Sequence, residues 1–146
     1  MGVWVWGMQS SVGRLNLMLA HGAQADWATA LEGALRPLPV ELHWSRTDHE
    51  AIGLATATRL DLGVVDDDLT EGGGLGLVRR IRMLGMGFPC LLVSREPQPR
   101  LLQKALELEV FSVVDVKAYQ STLVPLVCEM LTNMARTGDE DGDWAN

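Results

Sequence analysis

Short apolar runs alternate with stretches of helical periodicity along this chain. The runs 14–21 (RLNLMLAH), 40–45 (VELHWS), 61–65 (DLGVV), 88–94 (FPCLLVS) and 110–116 (VFSVVDV) have the length and apolar density of buried parallel strands. The stretch 25–36 (ADWATALEGALR) sets Trp27, Ala30, Leu31, Ala34 and Leu35 at helical spacing, with Asp26 as N-cap or first-turn acid. In 47–59 (TDHEAIGLATATR), Thr47 followed by Glu50 is a capping-box pattern. In 74–85 (GLGLVRRIRMLG), Leu75, Val78 and Ile81 are expected to face inward. Pro99 falls near the first position of 98–109 (QPRLLQKALELE), and Pro125 near the first turn of 121–136 (STLVPLVCEMLTNMAR), where a missing N–H costs little.

Strand and helix thus repeat five times. That order predicts an α/β fold: a doubly wound, five-stranded parallel sheet between two helical layers. Crossovers in such sheets are right-handed, and ligands sit beyond the carboxyl ends of the strands. The expected organisation is an N-terminal extension over 1–13, a domain over 14–135 and a disordered acidic tail over 136–146. The Val-Trp-Val-Trp run (3–6) in the extension is read as mobile or packed at an edge, with a short extra strand as the alternative.

Asp66, Asp67 and Asp68 follow the third apolar run directly. Three adjacent carboxylates repel one another, so water, a cation or phosphoryl chemistry has to account for them. The glycines Gly72, Gly73 and Gly74 read as a turn. Gly74-x-Gly76 would need a further glycine where Arg79 stands, so the dinucleotide fingerprint fails, and no P-loop lysine follows.

Composition narrows the function classes. The 146 residues suit one core, and 47% of them are hydrophobic. A net charge of -7 argues against a nucleic-acid surface. Arg79, Arg80 and Arg82 fit the outer face of a helix. Cys90 and Cys128 sit in apolar surroundings without metal or disulfide spacing, which fits a reducing cytoplasm. The N-terminus does not read as a signal peptide, and no apolar run reaches the roughly 18 residues a membrane span needs. His21, His43 and His49 share no short motif; His21, at the switch point, is the one to test for pH dependence. The tail's DEDGD run has Trp144 where a calcium loop needs its glycine.

From 14 to 135 the layout resembles the receiver domain of bacterial response regulators, the CheY-like branch of the flavodoxin-like folds. The resemblance implies strand order 2-1-3-4-5. It places Asp66 at the phosphoacceptor position, Gly74 at the glycine before the third helix, Ser94 at the Ser/Thr switch position and Lys117 at the lysine after the fifth strand. A carboxylate can accept a phosphoryl group, and the transfer then depends on positioning and neutralising charge. The family's Mg²⁺ would be left here to Asp66 and Asp68, because His21, Gly22 and Ala23 replace the acidic pair after the first strand. The loop proline is Thr70, the Gly-Ala before the fifth strand is Glu109-Val110, the switch aromatic is Val113 and the proline after the lysine is Ala118.

The resulting expectation is an atypical, stand-alone receiver, not an enzyme, acting through protein–protein contact with phosphorylation at Asp66 impaired. Its partners would be a histidine kinase, a phosphotransfer protein or a downstream effector. A homodimer would use the face made by the fourth helix, fifth strand and fifth helix. Neither nucleic acid nor membrane is expected as a partner. The alternatives are a conventional phosphorelay receiver and, more weakly, a small-molecule-binding flavodoxin-like protein.

Overall fold

The structure is a computed structural model that describes residues 14–22, 25–69 and 72–145, with side chains as far as Thr137. The Val-Trp-Val-Trp run and Thr70 lie outside the described residues. The elements are β1 (Leu15–Ala20), α1 (Asp26–Leu35), β2 (Val40–Ser45), α2 (Asp48–Ala57), β3 (Leu62–Asp66), α3 (Gly73–Met83), β4 (Cys90–Ser94), α4 (Pro99–Glu107), β5 (Ser112–Asp115) and α5 (Val124–Ala145). All strands are parallel, in the order β2-β1-β3-β4-β5. The doubly wound five-stranded sheet of the sequence reading is the observed one.

Local chemistry explains several element ends. Thr47 Oγ1 accepts from the Glu50 backbone N–H at 3.1 Å, while Glu50 Oε1 accepts from the Arg46 N–H at 2.7 Å. Pro99 is the first residue of α4, where its lacking N–H leaves no bond unmade. Asp26 is a first-turn acid rather than a cap, because Ala25 holds the N-cap position without a side-chain hydrogen bond. Two expectations shift. In α3, Leu77 is fully buried beside Val78 and Ile81, whereas Leu75 is only partly covered. Helix α5 continues through the acidic segment to Ala145, so the boundary expected near 135 is not an end of the helix.

The side-chain period of two divides the core. Leu17 and Leu19 of β1, Leu62 and Val64 of β3, and Leu91 and Val93 of β4 pack in one cluster with Trp27, Leu31 and Leu35 of α1 and Val127 and Leu131 of α5. Met18, Ala20, Val65, Cys90 and Leu92 face the other way, onto Ala51 and Ala55 of α2 and Leu77, Val78 and Ile81 of α3. Burial pushes the Cys90 thiol up to about 11, which makes it an inert core group at neutral pH. At the opposite end of the sheet from the aspartates, the Arg82 guanidinium donates to the carbonyls of Met86, Phe88, Leu108 and Glu109 and ties two loops together. Glu109 itself sits in the left-handed region at φ 57, which glycine adopts more readily.

Candidate functional site

Strand parity fixes what each aspartate meets. Asp66 is the last residue of β3 and shares its face with Leu62 and Val64, so its side chain points into the layer of α1 and α5. Asp67 has the opposite parity. Ser94, which ends β4, has the parity of Cys90 and Leu92 and therefore also faces away from Asp66.

Asp66 is buried, with 2% of its surface exposed, and both carboxylate oxygens are engaged. Oδ2 accepts from the Trp27 indole Nε1–H at 2.9 Å. Oδ1 accepts from the Asp68 backbone N–H at 2.9 Å and from an Arg95 guanidinium nitrogen at 3.2 Å. The same Arg95 nitrogen lies 2.8 Å from Asp68 Oδ2 and so bridges two of the three aspartates. Charged hydrogen bonds of this kind are the strong ones, and together they offset the desolvation of a buried carboxylate.

Asp67 hydrogen-bonds the Ser94 side chain, and its pKa is raised. Partial burial is the main cause, with the neighbouring Asp66 and Asp68 charges adding to it; Ser94 and Arg95 act in the opposite direction. The Ser94 oxygen also accepts from the Glu96 N–H at 3.2 Å.

Gly74 brings α3 against this rim. A Cβ there would lie 2.7 Å from the Asp66 carbonyl oxygen and 2.7 Å from Leu92 Cδ1. Glycine is thus required by close approach. The preceding turn uses Gly72 and Gly73 at φ 116 and 73.

No hydrogen bond or ion pair among the described residues joins Asp66, Ser94 and Lys117, the set that the resemblance implies. Ser94 meets Asp67, for the parity reason given above. Lys117 is exposed and makes no ion pair among the described residues. It stands in a short helical turn, Val116–Ala118, capped by Asp115, whose Oδ1 accepts from the Lys117 N–H at 2.9 Å. Sequence reasoning passed over the two residues that do reach Asp66. Trp27 was legible only as a core position of α1. Arg95, immediately after Ser94, carried a usable signal: a cation at the carboxyl end of the strand beside β3.

His21 directly follows β1. Its ring makes edge-on contacts with Trp27 at 5.8 Å and Trp44 at 5.6 Å between centroids. Mg²⁺ needs near-octahedral oxygen ligands. Around Asp66 the groups are instead N–H donors and a guanidinium, and the Asp68 oxygen expected to help is already on Arg95. Among the described residues no group of three His, Cys, Asp or Glu side chains is placed to hold a metal ion. The residues present do not fit the ion.

Sheet order, helical layers and rim together define the CheY-like receiver fold. Solved structures with this fold include the signal receiver domain of an HD domain-containing protein from Pseudomonas fluorescens Pf-5, at TM-score 0.70 and 24% identity over 85% of this chain and 98% of that one. The signal receiver domain of a putative Luxo repressor protein from Vibrio parahaemolyticus superposes at TM-score 0.74 with 14% identity, over 86% of this chain and 95% of that one. A two-component response regulator from Clostridium difficile gives TM-score 0.71 and 20% identity over 82% of this chain and 98% of that one. No protein-family model matches the chain, and no curated protein does. No helix among the described residues is long and apolar enough to cross a membrane.

Proposed function

We propose that the chain is an atypical receiver that acts in signal transduction by protein–protein contact, with phosphorylation of Asp66 impaired. The supporting observation is the engagement of both Asp66 oxygens by Trp27, Arg95 and the Asp68 amide. Attack on a phosphoryl donor needs a free carboxylate oxygen and a cation to neutralise the incoming oxygens. Here Arg95 is already an internal partner of Asp66, and Lys117 makes no ion pair with Asp66. The reading assigns the protein no catalytic role of its own. It names a histidine kinase, phosphotransfer protein or effector as the kind of partner, in a cytoplasmic setting.

The decisive experiment is incubation with Mg²⁺ and beryllofluoride or acetyl phosphate, followed by intact mass and amide-resonance mapping, with Asp66→Asn alongside. The expected result is no adduct and no Asp66-dependent shift. A stoichiometric adduct lost in Asp66→Asn would establish the conventional phosphorelay receiver instead, the reading favoured by the position of Asp66 at the end of β3.

Contact is assigned to the face of α4, β5 and α5, where Leu102, Leu106 and Phe111 stand 44%, 71% and 58% exposed. Leu102 and Leu106 are one helical turn apart, so they form a single stripe. The expected occupant is a second copy, and Leu106→Glu should convert a dimer to a monomer in sedimentation. A wild-type protein that sediments as a monomer at high concentration would remove the homodimer.

A further inference from the structure

A cleft of about 640 Å³ opens between the start of α1 and the junction of β5 with α5. Asp26 and Trp27 line one side, Lys117, Gln120 and Ser121 the other, and Arg95 the floor toward β4. Asp66 and Ser94 are not among its walls, although Trp27 and Arg95, which line it, also hydrogen-bond Asp66. The volume falls within the roughly 300–1,000 Å³ of small-molecule sites.

The charges in this cleft are distributed unevenly. Arg95 is committed to Asp66 and Asp68. Lys117 and Asp26 are both exposed, and neither side chain makes an ion pair among the described residues, with each other or with any other group. The cleft therefore presents one uncommitted cation and one uncommitted anion across its width, with the amide of Gln120 and the hydroxyl of Ser121 beside the cation. A ligand with a single charge would match one and confront the other. A ligand whose own two charges are separated matches both.

We propose that the cleft binds a small zwitterion of the amino-acid class, its carboxylate on Lys117 with Gln120 and Ser121 as hydrogen-bond partners, and its ammonium on Asp26. Binding is non-covalent. It requires neither a metal nor a phosphoryl group, and it stands whether or not Asp66 accepts phosphate.

The test titrates ¹⁵N-labelled full-length protein with the twenty common amino acids, then with the N-acetyl and carboxamide derivatives of any that bind. At least one amino acid should give saturable shifts confined to the amides of 25–27 and 116–121, with Kd of about 1 mM or tighter. Either derivative should bind at least tenfold more weakly. Lys117→Met and Asp26→Asn change exposed side chains, so both variants should keep the wild-type spectrum while losing binding tenfold or more. The proposal is overturned by absence of saturation at ~10 mM for all twenty, by derivatives that bind as well as the parent, or by shifts that persist in both variants.

Discussion

The two halves of the sheet's carboxyl rim differ in how they treat charge. At the ends of β3 and β4 the receiver spacing holds: Asp66 is buried at the strand end, Gly74 lets α3 approach it, and Ser94 closes the neighbouring strand. At the ends of β1 and β5 the polar groups are arranged differently. His21 packs between two tryptophans, Trp27 donates to Asp66, and Lys117 lines a cleft that Trp27 and Arg95 also line. The lesson is that neighbouring N–H groups and a guanidinium can compensate a carboxylate buried at a strand end. Removing those donors should therefore matter more than removing the lysine.

The largest effect is expected on the β3 side. Gly74→Ala forces a methyl group against backbone and a core leucine, and should cost about 3 kcal/mol of stability. Urea denaturation measures it. A variant with an unchanged midpoint would mean that α3 can move away from β3, and that the close approach is not required.

The β1 side should respond next. Trp27→Phe keeps an aromatic ring in the α1–α5 layer and removes only the indole donor to Asp66 Oδ2. Loss of a hydrogen bond to a buried charge should cost about 2 kcal/mol. In a double-mutant cycle with Asp66→Asn the penalty should shrink, since the neutral amide needs the donor less. Equal penalties in both backgrounds would show that Trp27 acts by packing alone, and the proposed internal compensation would lose its main support.

How legible this was in the sequence follows the same division. The sheet, its order and its helices could be read because apolar periodicity and the Thr47, Pro99 and Gly74 signals all agree with one fold. The position of Asp66 followed from the end of an apolar run. The partners of Asp66 did not follow. A tryptophan at a core position of α1 gives no hint that its N–H is aimed at a carboxylate. Ser94 was expected within reach of Asp66 because the two end neighbouring strands. Applied to Leu62, Val64 and Asp66 on one strand and Cys90, Leu92 and Ser94 on the next, parity would have separated the two. Helix α5 is longer than the 121–136 that apolar spacing alone marks out, because its last residues carry no apolar periodicity to read.

The smallest effect concerns Asp67, the half-buried one of the three aspartates, and sharpens the contrast with its neighbour. Asp66 has two N–H donors and a guanidinium, whereas Asp67 has Ser94, partial burial and two adjacent carboxylates, and its pKa is raised. A native-state pKa above the usual 3.8 means that the folded protein holds that proton more tightly than the unfolded chain. The fold is then favoured below about pH 3.8, and that contribution is lost as pH rises through the shifted value, so at neutral pH the ionised group is a small liability. Asp67→Asn removes the charge, and its side-chain amide can still bond the Ser94 hydroxyl. It should raise stability at pH 7 by about 0.5 kcal/mol or less, since partial exposure screens the charge. The gain should fade as pH is lowered toward 4, and thermal unfolding of both proteins across that range would follow it. A gain that stays constant with pH would assign the effect to packing, and a loss at pH 7 would mean that the Asp67 charge is compensated as fully as that of Asp66.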